Sequence, residues 1–350
     1  MNKKINYAFI GGSHIALKMA KAVHFSNSSS VISVASKSGN NFERFTKLGI
    51  AEHVTEYSKV LEDPRIQVVY VSLPNSLHYE WVKKALLSGK HVLCEKPMVL
   101  DINQLEELNK IAEQSNLILM EAMWYRYHPL ITHIKQMIVN GDLGRLTGFY
   151  STFNFLSSSE EDIRWSQELG GGAINDLFCY HADALQYLTG ETSKGIAGIE
   201  GFARFRNGVD ASVSVEITYK NNMTAQLVAS IERNSANHTL ITGEKGVLTI
   251  PHLRLDPGIS EHSCSFLSEK GNQKIDPGFC NPFVRMINTF SASVSGESTE
   301  PLVTPDESIE NLKLMTMVRK AVSVEMQDRI SLYPAAMSFG KRIIKKYLSR

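Results

Sequence analysis

The chain has 350 residues, too many for one ordinary hydrophobic core, so about two domains are expected. Its hydrophobic fraction of 43% and charged fraction of 21% exclude a disordered or fibrous chain. A formal net charge of +1, from 37 Lys+Arg against 36 Asp+Glu, argues against a nucleic-acid-binding surface. Up to about residue 120, short apolar runs alternate with amphipathic stretches. Residues 7–10, 31–35, 68–73, 91–94 and 117–120 read as buried strands, and 15–23, 76–87 and 102–113 as helices. Asp101 and Gln104 give the last of these a capping-box start. This alternation implies parallel pairing with right-handed crossovers, an α/β doubly wound sheet over residues 1–123.

The second half changes period. Ala211, Val213, Val215, Ile217 and Tyr219 alternate with polar residues, and Met223, Ala225, Leu227, Ala229 and Ile231 repeat the pattern after a turn at Asn221 and Asn222. Two such strands predict a predominantly antiparallel open sheet, with residues 170–188 as a helix on its covered side and a late helix over 305–325. Residues 124–330 are therefore expected to form an α+β domain for the substrate. Ser212, Ser214 and Thr218 face outward on this sheet, compatible with a sheet-to-sheet dimer or with solvent. Residues 331–350 form a basic tail; its amphipathic end, 340–350, is read as a solvated terminal helix, with contact to an anionic membrane surface as the alternative, and is too short for stable anchoring by itself.

No run approaches the roughly 18 apolar residues of a membrane helix. The early strand at Ile5 leaves no room for a secretory leader. Cys94, Cys179, Cys264 and Cys280 lack paired spacing, and His78, His91 and His128 are scattered. Free thiols, a reducing cytoplasmic setting and no metal centre are expected.

Gly11-Gly12-Ser13-His14-Ile15-Ala16 follows the first strand, where a dinucleotide fingerprint would lie. Gly11 and Ala16 suit the tight turn and the helix packing, whereas Ser13 replaces the middle glycine, leaving Gly12 to take the close approach. The second strand ends at Ala35-Ser36-Lys37 rather than at an acidic residue. A hydroxyl and a cation there suit a 2′-phosphate, so NADP(H) is preferred and NAD(H) is the alternative; Lys37 can also be read as a plain surface lysine.

Three further signals are more specific together. Leu73-Pro74-Asn75-Ser76-Leu77-His78 closes the third predicted strand, Cys94-Glu95-Lys96-Pro97 the fourth, and Gly170-Gly171-Gly172-Ala173-Ile174-Asn175-Asp176 opens a helix. With residues 121–129, Asn281-Pro282-Phe283 and the turn at 241–246, they make the chain resemble the Gfo/Idh/MocA oxidoreductases from about residue 5 to residue 328. The resemblance implies that Leu73, Pro74, Asn75, His78, Glu95, Lys96 and Pro97 border the cofactor, with Lys96-Pro97 in cis. It also implies that Asp176 orients substrate and acid, that Tyr180 stands where relatives carry a catalytic His or Tyr, and that the protein is a homodimer or homotetramer, with 124–330 also the oligomerisation domain.

Lys96 lies just past the carboxyl end of a strand, where open α/β sheets bind ligands. Asp176, Tyr180 and Asp183 share one helix face and are expected to project into one cleft. His181 is turned about 100° from Tyr180 and takes a supporting or core role. Tyr125, Arg126, Arg164 and Trp165 are candidates for the substrate wall or for packing at the domain junction.

The resulting expectation is an NADP(H)-dependent oxidoreductase moving hydride between nicotinamide and a carbonyl or hydroxyl of a sugar-like substrate, as a ketone reductase. Tyr180 or Lys96 would protonate the developing alkoxide, and Asp176 would hold the geometry. One alternative is a trans-dihydrodiol or inositol-type dehydrogenase working oxidatively. Another is an inactive ligand-binding protein on the same fold, supported only by Ser13.

Overall fold

The computed structural model describes residues 4–39, 41–253, 263–298 and 300–324. Each of the five apolar runs forms a strand: β1 (Ile5–Ile10), β2 (Ser29–Ala35), β4 (Val68–Val71), β5 (His91–Cys94) and β6 (Leu119–Glu121). A short edge strand, β3 (Glu52–Val54), joins them in a parallel sheet of order β3-β2-β1-β4-β5-β6. The order reverses at β1/β4, so a crevice opens beyond the carboxyl ends of these two strands. Helices α1 (His14–Phe25), α4 (Asn75–Leu87) and α5 (Ile102–Gln114) lie close to their expected spans. Asp101 caps α5 through the Asn103 and Gln104 amides. Two short helices, α2 (Phe42–Thr46) and α3 (Tyr57–Glu62), flank β3.

After α6 (Pro129–Val139) the chain builds a second sheet from β7 (Leu146–Asn154), β8 (Ile196–Arg206), β9 (Val209–Tyr219), β10 (Thr224–Ser230), β11 (His238–Gly243), β12 (Gly246–Ile250), β13 (Cys264–Ser268), β14 (Gly271–Ile275) and β15 (Val322–Val324). Among the described residues its order is β14-β13-β12-β11-β7-β10-β9-β8-β15, antiparallel except at β7/β10 and β8/β15. The expected hairpin is β9/β10, and Asn222 takes a left-handed φ of 65° in its turn. Alternate β9 residues from Ala211 to Tyr219 are buried beneath the helical layer.

Two expectations need correction. Residues 170–188 are not one helix: a glycine-rich loop leads into a π-helical turn at Ile174–Phe178, and only then into α7 (Cys179–Thr189). The late helix α9 (Pro305–Ala321) stops before 325 because the chain passes into β15 and satisfies the edge of β8.

Helix α8 (Pro282–Val294) packs back on the first sheet. There the Ser291 hydroxyl lies 2.6 Å from Tyr7 Oη and 2.8 Å from Ser29 Oγ, and Ser26 Oγ donates to Asn288 Oδ1 at 2.7 Å. Among the described residues no helix is long and apolar enough to cross a membrane, no cluster could hold a metal ion, and the four cysteines are free. The basic tail 331–350 lies outside the described residues.

Candidate active site

The crevice begins where β1 ends. Gly11 has a φ of 108°, and a Cβ on it would meet the Ser72 carbonyl oxygen at 2.6 Å, so only glycine lets β1 turn this close to β4. Ser13, where the middle glycine was expected, is the N-cap of α1, its Oγ accepting the Ala16 amide at 3.2 Å. The substitution therefore exchanges backbone freedom for a helix cap. With His14 and Ile15 in its first turn, α1 aims its amino end at the crevice, a geometry suited to a pyrophosphate. Ser36 is buried against Gly12, and the Lys37 ammonium stands 5.4 Å from the centroid of the Tyr57 ring. Two further groups join this end without having been singled out in the sequence. Asn41 Nδ2 donates to the Gly12 carbonyl at 2.6 Å, and Arg44 Nη1 comes within 3.5 Å of His14 Nδ1.

The strands β4 and β5 deliver the next wall. His78 is fully buried, with Nε2 2.8 Å from the Leu73 carbonyl and Nδ1 2.9 Å from that of Pro97. It binds the Leu73-Pro74-Asn75 loop to the Lys96-Pro97 turn from behind, and the Lys96-Pro97 peptide is cis, as expected. Asn75 reaches the glycine run, its Nδ2 donating to the Gly170 carbonyl at 2.9 Å. Glu95 turns back into the sheet, where its carboxylate accepts the Tyr70 hydroxyl at 2.6 Å and burial pushes its pKa up. His78 and Glu95 thus support the crevice from beneath.

Lys96 reaches from that turn across to the glycine run and its helix in the second half of the chain. Its ammonium donates to the Asp176 carbonyl at 2.7 Å and to Asp176 Oδ1 at 3.0 Å. It also lies 5.0 Å from the centroid of the Tyr180 ring. Arg164 Nε donates to the other carboxylate oxygen of Asp176 at 2.6 Å, and its Nη1 holds Asp162. Burial opposes the charge on Lys96, but the Asp176 carboxylate prevails and holds its pKa above the usual lysine value. Burial likewise opposes the charge on Asp176, yet Lys96 and Arg164 push its pKa down to about 2. The site therefore holds a fixed carboxylate between two cations at neutral pH.

Tyr180 sits in an aromatic box. Trp124 Nε1 donates to its hydroxyl at 3.2 Å, Phe283 stacks on Trp124 at 4.4 Å, and the Phe153 and Tyr125 rings lie 5.7 and 6.0 Å from its own. An indole N–H can only donate, so the Tyr180 oxygen is the acceptor there and the phenolic proton is directed elsewhere.

Other expected site residues are placed differently. Asp183 does not share the cleft with Asp176 and Tyr180. It is buried and held by Arg126, through Nη2 at 2.6 Å and Nε at 2.9 Å, and by the Tyr125 hydroxyl. Those partners are the physical reason: a buried carboxylate needs compensating donors, and Arg126 and Tyr125 supply them away from Lys96. Arg126 also binds Glu307 of α9 at 2.7 Å, so Tyr125 and Arg126 form a packed junction. Trp165 is buried under the Arg206 guanidinium, 4.9 Å from its ring. His181 is buried, with Nε2 3.0 Å from the Val228 carbonyl, and burial pushes its pKa down to about 4, in line with a core role.

Asp210 was not foreseen. It projects from β9 under the glycine run, where Oδ2 accepts the Ile174 amide at 2.6 Å and caps the π turn. Gly172 has a φ of 100°, and a Cβ there would lie 2.3 Å from Asp210 Oδ1. No local signal marks Asp210, which occupies an ordinary polar position in an alternating strand. Trp124 lay inside the recognised stretch 121–129, but nothing short of the fold shows that its N–H meets Tyr180.

Residues 5–123 match an oxidoreductase family with an NAD-binding Rossmann fold, GFO_IDH_MocA, and residues 131–249 match the GFO/IDH/MocA C-terminal domain. A dTDP-3,4-didehydro-2,6-dideoxy-alpha-D-glucose 3-reductase from Saccharopolyspora spinosa is 30% identical over 71% of this chain and 75% of its own. D-xylose 1-dehydrogenase (NADP(+)) 2 from Haloferax volcanii is 28% identical over 78% of this chain and 83% of its own. The crystal structure of KijD10, a 3-ketoreductase from Actinomadura kijaniata in complex with NADP and TDP-benzene, has a TM-score of 0.84 at 26% identity, covering 92% of this chain and 99% of that one. With both halves matched, and a relative of this identity and coverage, the chain belongs to the GFO/IDH/MocA family of oxidoreductases.

Proposed function

We propose that this protein is an NADP(H)-dependent oxidoreductase that reduces a ketone on a polyhydroxylated, sugar-like substrate. The observation that carries the reading is the Lys96–Asp176 pair, at 3.0 Å, set against Tyr180 at the carboxyl end of β5. The residues present fit the dinucleotide: a glycine turn and a capped helix end for the pyrophosphate, then Ser36 and Lys37 with no acid at the end of β2. When bound, the nicotinamide supplies or accepts the hydride.

The chain's own residues then divide the work. Lys96, kept charged by Asp176, stabilises the negative charge developing on the carbonyl oxygen. Tyr180 gives that oxygen its proton, and the neighbouring ammonium favours the phenolate left behind. Asp176 and Arg164 hold Lys96 in position. Phe153, Trp124 and Phe283 pack around Tyr180 as buried apolar walls and limit water at its hydroxyl. Tyr180→Phe is expected to lower turnover about 10²-fold.

In this reading residues 1–123 hold the cofactor and 124–330 the substrate, and the enzyme is a cytoplasmic homodimer or homotetramer. The open face of the second sheet, with Ser214 and Gln226, is the surface two copies would share. The first experiment is a titration with NADPH and NADH, following tryptophan fluorescence. NADPH is expected to bind about tenfold tighter or more, because a 2′-phosphate pairs with a cation. Equal affinities would remove the NADP(H) assignment, and binding of neither would favour the inactive ligand-binding protein. Turnover is then assayed with dTDP-linked 3-ketosugars plus NADPH, against D-xylose or a trans-dihydrodiol plus NADP+. Activity only with the second pair would reverse the direction.

A further inference from the structure

Glu121, the last residue of β6, is buried at 3% exposure and has no place in the hydride transfer described above. The parallel register sets it beside Cys94, two residues before Lys96. Its side chain runs forward under the Lys96-Pro97-Met98 turn, where Oε1 accepts the Met98 amide at 2.9 Å. Proline has no N–H, so Met98 supplies the first backbone donor after Lys96, and a buried donor needs a partner. The Ser308 side chain of α9 lies beside the same carboxylate and favours its charged form. Pro97, Met98, Ser308, Asn311 and Met315 close around it. One side chain therefore joins the turn that carries Lys96 to a helix from the far end of the chain.

We propose that Glu121 is a positioning residue, which holds the Lys96-Pro97-Met98 turn against α9 so that the Lys96 ammonium stays on Asp176. The proposal deepens the reading of Lys96 as part of the reacting set and rests on it. Two other carboxylates could compete for the role. Glu95 is engaged by Tyr70 on the other side of the turn, and Asp183 is saturated by Arg126 and Tyr125. Glu95 also has the Lys96 amide beside its carboxylate, ahead of the proline, whereas Glu121 accepts the first amide after it.

The test reads the placement of Lys96 without needing a substrate. The full chain is acetylated with a limiting amount of acetic anhydride, and labelling of Lys96 is compared by mass spectrometry with that of Lys90. Lys90 is the reference because it too is buried, donating to the Asp63 and Ile66 carbonyls at 2.8 Å each, away from the turn. Glu121→Ala is expected to raise Lys96 labelling about fivefold, as the buried Met98 amide loses its acceptor, with Lys90 unchanged. Glu121→Gln keeps an oxygen for the Met98 amide and is expected to label like the parent. Ser308→Ala cuts only the link to α9 and is expected to give a rise of about twofold.

The proposal is overturned if Lys96 in Glu121→Ala is as protected as in the parent, if Lys90 rises in step with it, or if the glutamine variant labels like the alanine one. Should Glu121→Ala fail to fold, unchanged Lys96 labelling in Ser308→Ala overturns it instead. Turnover of Lys96→Met is measured in parallel. Retained turnover sinks the role of Lys96 in the reaction, whereas the labelling pattern reports separately on Glu121.

Discussion

The two sheets bring residues to one cleft by different means. In β4 and β5 all but one position is buried on both faces of the sheet, so their chemistry lies just past the strand ends, in Leu73-Pro74-Asn75 and in Glu95-Lys96-Pro97. In β9 burial alternates along eleven residues, and Asp210 acts from within the strand. A doubly covered strand can meet a ligand only at its end, whereas a strand with one open face can contribute every second side chain. The parallel sheet therefore carries its site as contiguous motifs, while the mixed sheet assembles its share from a glycine run and a strand far from it in sequence.

The sharpest way to break this comparison is to remove the group that the first sheet sends across. Lys96→Met is expected to lower turnover by about 10²–10⁴-fold with a much smaller change in NADPH affinity. A loss below about tenfold would move the chemistry to Tyr180 and the second sheet. Next in size is Gly172→Ala, which sets a Cβ against Asp210 in a backbone region that L-residues rarely adopt. It is expected to cost about 3 kcal/mol in urea unfolding. An unchanged midpoint would mean that the glycine run is not held by β9.

The two aspartates at this junction should respond to pH with opposite signs. Asp176 has its pKa pushed down to about 2 by Lys96 and Arg164 despite burial, so it contributes stability above the unfolded value that is lost as pH falls towards 2. Asp210 has its pKa pushed up to about 6 by burial, so stability is lost as pH rises from the unfolded value through 6. Each effect amounts to about 2–3 kcal/mol. Asp210→Asn is expected to remove the second slope and leave the first, as denaturation curves from pH 2 to 7 would show. The smallest expected effect is at the far edge of the first sheet. Lys37→Ala should weaken NADPH binding about tenfold and leave NADH unchanged, which fluorescence titration can check.

Much of the first sheet was legible because its buried strands are unbroken apolar runs and its functional residues follow them directly. The edge elements β3, α2 and α3 were not, since three to six residues hold no usable period. In the second sheet, alternation revealed β9 and β10 but not their partners. The face predicted for Asp176, Tyr180 and Asp183 divides by partner: Lys96 meets the first two, while Arg126 and Tyr125 hold the third. Arg126 and Trp165 have the composition of a substrate wall, yet Asp183 and Glu307 engage the one and Arg206 covers the other.

The sequence by itself determined what neighbouring residues decide: strand and helix type, the turn at Gly11, the residues that follow β5, and the absence of an acid after β2. Those features depend on hydrophobic period, backbone freedom and side-chain chemistry over a few positions. Only the tertiary structure decided which distant charges meet. Lys96 lies on Asp176 and Asp210 under Ile174, while Asp183 turns to Arg126. It also returned α8 to the first sheet and stopped α9 short of 325 to pair β15 with β8. Buried charges and strand edges must find partners wherever packing brings them, and no local pattern records who those partners are.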